Sequence, residues 1–251
     1  MGTWISHLRI AEKLLPHFPE LDKTLFTFGN LAPDSGIPNE DWTEFDPPKE
    51  ITHYLDKGEG EWMIRDLDFY REYLAALNPQ EDINKYSFRL GYFVHLFSDI
   101  LWSKYIHHTT VNAFRELIAE DEGKAWKLFK KDWYGLDQVY NLSHKEGLFW
   151  QVIHPTPNPP SYLPFIHENA LHQQYDYIRK FYGEFDPYWF EERKYPYLNE
   201  NTMTQVVNGT VLTALAILEK IKSTDLKDVH SSTQILSPKD MLPYEMPLGD
   251  E

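Results

Sequence analysis

Between Gly91 and Trp102 the chain reads GYFVHLFSDILW, an apolar run carrying a histidine and an aspartate four residues apart. The run lies inside a segment, Tyr86 to about His107, whose periodicity predicts a helix. Helix interiors this apolar rarely hold polar groups unless each has a partner. At i and i+4, His95 and Asp99 project from one face, one turn apart. An imidazole nitrogen and a carboxylate oxygen can then converge on one cation, or the two can bond only to each other and to nearby backbone. Either way, the rest of the chain must fold so that other elements complete the surroundings of this pair.

The helical period recurs along the chain. Trp4, His7, Leu8, Ala11, Leu14 and Leu15 fall on the spacing of an amphipathic helix, with Thr3 placed to cap it and Pro16 near its end. A second short helix is predicted before Gly29. From Phe28 to Pro48 the text is loop-like, broken by Gly29-Asn30, Pro33-Asp34-Ser35-Gly36, Pro38-Asn39 and Asp46-Pro47-Pro48. Loops this long in a compact domain are usually functional. Further helices are predicted over Glu61–Leu77, Val111–Ile118, Lys124–Trp133, Pro164–Tyr182 and Asn201–Ser223, with Pro155–Pro160 as a rigid linker. No alternating strand pair, internal repeat or low-complexity block is visible. The expectation is an all-α fold: a single helical domain over 1–223 and a polar C-terminal tail over 224–251.

Composition narrows the function classes. The 251 residues include no cysteine, so disulfides and thiolate ligands are excluded and any metal must use nitrogen and oxygen. A formal net charge of −15 makes nucleic acid an unlikely partner, because that affinity comes from clustered Lys and Arg. It suits a protein that holds cations. No run reaches the roughly 18 to 20 apolar residues of a transmembrane helix. No secretory signal is visible at Met1-Gly2-Thr3-Trp4, and the expected location is cytoplasmic. Gly2 and Ser6 fit the bare myristoylation pattern, a weak signal that is discounted.

Three more polar residues stand in telling places. His7 lies on the face of Trp4, Leu8 and Ala11, and points inward either as a satisfied core histidine or as a ligand. Asp34 sits in a turn, where an aspartate ordinarily bonds its own backbone. His53, in Ile51-Thr52-His53-Tyr54, follows a proline-rich loop and fits a surface position equally well. The order of the set carries more than any member: Trp-x-x-His, a loop aspartate, a His-Tyr, then a helical His-x-x-x-Asp.

From Trp4 to Tyr105 this constellation resembles the zinc-dependent phospholipases C of bacteria, whose helical fold and metal cluster are shared with fungal single-strand nucleases. The resemblance implies a helical domain built around a buried metal cluster of about one to three zinc ions. It implies that His95, His53 and Asp34 hold one zinc, that Asp99 bridges, and that His7 binds a further zinc with Asp99. It also makes Asp34 the candidate catalytic base. Two departures stand against a full carry-over. Family members begin at the tryptophan, whose amine and carbonyl chelate zinc, whereas Trp4 here follows three residues. The family's next ligand, six residues beyond the bridging aspartate, is Tyr105 here, and no later histidine has an acid four residues on. His107, His108, Asp132 and Asp137 are weak substitutes. Tyr54, Trp42, Phe45 and Tyr92 are candidates for a cleft, although aromatics are more often core.

With an open coordination position, zinc lowers the pKa of water to about 7. The leading expectation is therefore a zinc-dependent phosphodiester hydrolase of phospholipase C type, acting on a phospholipid or related small phosphoester. The alternative is a non-catalytic helical metal-binding or scaffold domain with a degraded cluster. A nuclease ranks below both, since no basic groove is evident. The sequence leaves the oligomeric state open.

Overall fold

The computed structural model describes residues 1–41, 43–57, 62–184, 186–189 and 194–241. Helix α1 spans Trp4–Leu14 and begins where the Thr3 hydroxyl accepts from the Ser6 amide, as its capping position predicts. Pro16 follows in a 3-10 turn. Helix α2, Lys23–Gly29, starts at Asp22, whose carboxylate accepts from the Leu25 amide at 2.8 Å.

The loop after α2 contains the 3-10 turn Ala32–Asp34, the short antiparallel pair β1 (Ile37–Pro38) and β2 (Phe45–Asp46), and the single-turn helix α3, Lys49–Thr52. A second antiparallel pair follows, β3 (Leu55–Lys57) with β4 (Trp62–Ile64), and then α4, Asp66–Tyr73. These pairs correct the expectation of no strands and of a helix over 61–77, of which Glu61 lies outside the described residues. Strands of two or three residues are too short to show an alternating pattern.

Helix α5, Ile83–Trp102, is capped by Asp82 and runs through the middle of the molecule, with Phe88, Tyr92, Phe93 and Phe97 wholly buried. It crosses α2 backbone to backbone. A Cβ added at Gly29 would lie 2.0 Å from the Phe88 carbonyl oxygen, and one at Gly91 would lie 2.1 Å from that of Phe26. Only glycines permit this approach, and it presses the end of α2 against the His95 turn.

Beyond α5 comes a π-helical turn, Ser103–His107, then α6 (His108–Ala113) and α7 (Arg115–Glu120), parted at Phe114, whose ψ of 27° leaves the helical range. The predicted helix over 111–118 is thus two. Helix α8, Glu122–Ser143, outruns its predicted end at Trp133; α9 spans Glu168–Gly183, starting later than Pro164, and α10 spans Glu200–Lys220. Helix α1 packs between α10 and α5. Among the described residues the fold is all-α apart from the two strand pairs. Residues 226–232 run back over α4: Arg71 donates to the carbonyls of Leu226 (3.0 Å) and Val229 (2.6 Å), and the Ser232 amide donates to Asp66 at 2.9 Å. No helix among the described residues is long and apolar enough to cross a membrane.

Candidate metal centre

Four elements bring polar side chains to one point. Helix α5 supplies His95 and Asp99, α1 supplies His7, the Ala32–Asp34 turn supplies Asp34, and the residue closing α3 is His53. His53 is fully buried, which decides against the surface position its loop setting allowed. Asp99 sits at the centre. Its Oδ1 lies 3.2 Å from His7 Nε2, and its Oδ2 lies 3.4 Å from His95 Nε2 and 3.5 Å from His53 Nε2. Asp34 Oδ1 lies 3.4 Å from His53 Nε2. The His7 and His95 rings stack, 3.8 Å between centroids and 9° apart.

The outer atoms of the group are anchored. His95 Nδ1 faces the Asn30 carbonyl at 2.8 Å, so that nitrogen carries the proton and Nε2 presents a lone pair. His53 Nδ1 lies 3.0 Å from the Thr52 hydroxyl, and the Tyr92 hydroxyl donates to the Thr52 carbonyl. The Gly2 amide donates to Asp99 Oδ1 at 2.6 Å, and the Trp4 indole N–H donates to Asp34 Oδ2 at 2.8 Å. Inward, the atoms are orphaned: Nε2 of His7, His53 and His95, and Oδ2 of Asp99, are buried without a hydrogen-bond partner. Burial of so many bare polar atoms is costly unless a cation satisfies them together.

Electrostatics favour neutral imidazole at two of the three histidines. Burial holds His53 and His7 below the usual imidazole range, favouring the neutral form that ligates metals. At His95 burial opposes the charge, but adjacent Asp99 outweighs it and the net shift is upward. Burial likewise works against the charge of both carboxylates. It is outweighed at Asp34 first by the adjacent His53 imidazole, and at Asp99 first by the charge of His95, so both stay below the usual range. Two overlapping sets, His7-His95-Asp99 and Asp34-His53-His95, have donor atoms within 4.8 Å of one another, and imidazole nitrogen with carboxylate oxygen suits zinc.

The structure therefore brings together the side chains of His7, Asp34, His53, His95 and Asp99. The remaining candidates lie elsewhere. His107 stacks on Trp126 at 4.9 Å. His107 and His108 line a cavity of about 1630 Å³ that reaches Asp99, but neither joins the convergent sets. Asp132 accepts from the Tyr197 amide at 2.8 Å, and Asp137 from the hydroxyls of Thr3 (2.8 Å) and Tyr182 (2.6 Å). Tyr105 is buried. Among the aromatics, Phe45 lines the cavity, Tyr92 is core, Tyr54 donates to Glu72 at 3.0 Å, and Trp42 lies outside the described residues. Sequence reasoning missed the carbonyl of Asn30, which carries no side-chain signal, and two lysines on the cavity wall, Lys49 and Lys104.

A family model described as zinc dependent phospholipase C matches residues 6–146. No curated protein and no solved structure matches the chain.

Proposed function

The chain belongs to the zinc-dependent phospholipase C family, and from that premise we propose that it is a zinc-dependent phosphodiester hydrolase acting on a phospholipid or related phosphoester. The observation that carries this reading is the set of buried, unpartnered imidazole nitrogens converging with a bare Asp99 oxygen beside a large cavity. A closed structural site would not be expected to adjoin such a space. His53, His95 and Asp34 would hold one zinc, with Asp99 shared and His7 serving a second. Bound zinc supplies Lewis-acid polarisation of a phosphoryl oxygen and brings the pKa of water to about 7.

The chain's own residues supply the rest. His53 and His7, kept neutral by burial, leave lone pairs available at neutral pH. Asp34 is the base in this proposal. Its side chain is 12% exposed, against 0 to 1% for its neighbours, so a carboxylate oxygen can exchange a proton with solvent. Lys49 and Lys104 offset the acids Glu44, Glu50 and Asp56 on the cavity wall and give an anionic phosphate two cations to approach. Phe45, Leu55 and Ile100 offer apolar surface for the esterified group.

The second reading, a non-catalytic metal-binding domain, draws on one observation: Tyr105 is buried, and neither His107 nor His108 joins the convergent group. An assay separates the two. Zinc-loaded protein is offered a chromogenic phosphodiester and phosphatidylcholine in mixed micelles. The hydrolase reading expects turnover that a chelator abolishes and added zinc restores, and zinc-loaded protein inert on both substrates would overturn it.

A further inference from the structure

Both carboxylates of the group are held from the same stretch of chain. The Gly2 amide occupies Asp99 Oδ1 at 2.6 Å, and the Trp4 indole N–H occupies Asp34 Oδ2 at 2.8 Å. Each contact takes one oxygen of its carboxylate and leaves the other to face His53, while Asp99 Oδ1 also lies 3.2 Å from His7 Nε2. Asp34 Oδ1 is then 3.4 Å from His53 Nε2, and Asp99 Oδ2 is 3.5 Å from the same nitrogen. The two remaining oxygens thus meet at one histidine.

The stretch is itself fixed. Thr3, between the two donors, caps α1 and donates its hydroxyl to Asp137 at 2.8 Å, and Tyr182 donates to the same carboxylate at 2.6 Å. The Trp4 ring is set edge-on against Tyr177 (5.8 Å), Phe181 (5.9 Å) and Tyr182 (6.1 Å). At Gly2 there is no room for a side chain, since a Cβ would come 2.8 Å from His7 Nε2.

We infer that residues 2 to 4 form a clamp of N–H donors, and that Gly2 and Trp4 are positioning residues that aim Asp99 Oδ2 and Asp34 Oδ1 at the metal position. The inference rests on the zinc reading above. Carboxylates have two equivalent oxygens and rotate freely unless one is tied. Outer hydrogen bonds that tie them typically change metal affinity by about 10- to 100-fold. The clamp acts through neutral donors, so the charge the two carboxylates offer a cation is undiminished.

The test is a zinc titration of metal-free protein against a chromophoric chelator, comparing wild type with Trp4→Phe, Phe181→Leu and Asp34→Ala. Trp4→Phe keeps an aromatic ring but removes the donor together with part of the indole; Phe181→Leu loosens the same aromatic cluster and keeps the donor, and so controls for the lost packing. A clamp predicts zinc affinity lower by about 10- to 100-fold in Trp4→Phe and close to wild type in Phe181→Leu. Gly2→Ala, which crowds His7, is expected to weaken zinc as well. Wild-type affinity in Trp4→Phe, with Asp34→Ala impaired, overturns the clamp and leaves the zinc reading standing. Equal losses in Trp4→Phe and Phe181→Leu assign the effect to packing and also overturn it. A wild-type protein that takes up no zinc overturns both.

Discussion

Replacing Gly91 by alanine sets two physical effects against each other. Gly91 lies inside α5, where helix propensity alone favours alanine by about 1 kcal/mol. At this position, however, the new Cβ would lie 2.1 Å from the Phe26 carbonyl oxygen of α2, against the 3.4 Å at which ordinary contact begins. The obstacle is backbone, so α2 and α5 must part by about 1.3 Å, the difference between those distances. Overpacking of this kind costs about 1 to 3 kcal/mol, enough to reverse the gain from propensity. The same parting carries the Asn30 carbonyl away from His95 Nδ1. Starting from 2.8 Å, that hydrogen bond would stretch to about 4 Å and be lost. Gly91→Ala should therefore lower stability to urea and weaken zinc by about 10- to 100-fold, since the bond sets the tautomer and orientation of His95. Urea melts with a parallel zinc titration measure both. A Gly91→Ala protein more stable than wild type, with unchanged zinc affinity, would refute the close crossing and its role in setting His95.

Two further outcomes follow from buried charge. Burial pushes the pKa of Asp66 up from an ordinary 3.8 to about 7, while its Oδ1 accepts from the Ser232 amide. The folded state keeps this proton when the unfolded state has released it, so stability is fully present below about pH 4 and falls as pH rises toward 7, by roughly 4 kcal/mol at most. Asp66→Asn should flatten that slope in urea melts between pH 5 and 8, leaving the share due to Asp137, which burial also raises to about 7; an unchanged slope would contradict the assignment. Chelation of zinc should lower the melting temperature of wild type, because it bares the orphaned atoms of His7, His53, His95 and Asp99. In His95→Ala the chelator should change little, and a wild-type melting temperature indifferent to chelator would count against a resident metal.

Much of the fold is legible in the sequence because helices announce themselves by period and cap. Thr3 before an apolar three-and-four pattern marks the start of α1, and the run around His95 marks α5. Other features have no comparable signal. The strand pairs at 37–46 and 55–64 are too short to alternate, and the break at Phe114 is a local backbone choice inside a helical pattern. At the site, five polar residues each had an ordinary explanation, and only their order suggested a set. What the sequence conceals is how they are held. The Asn30 carbonyl, the Gly29 and Gly91 crossing, and the Gly2 and Trp4 donors arise from backbone positions or from contacts between distant residues. The burial of His53 is of the same kind, since it depends on where the end of α3 packs rather than on its sequence neighbours.

The most direct test of the metal centre is the number of metal ions per chain, measured by plasma mass spectrometry on untagged protein, for wild type, His95→Ala and Asp99→Ala. The account predicts at least one zinc per wild-type chain and its loss in both variants, because His95 belongs to both convergent sets and Asp99 lies between them. A wild-type protein that is fully folded and metal-free even after exposure to zinc would contradict it.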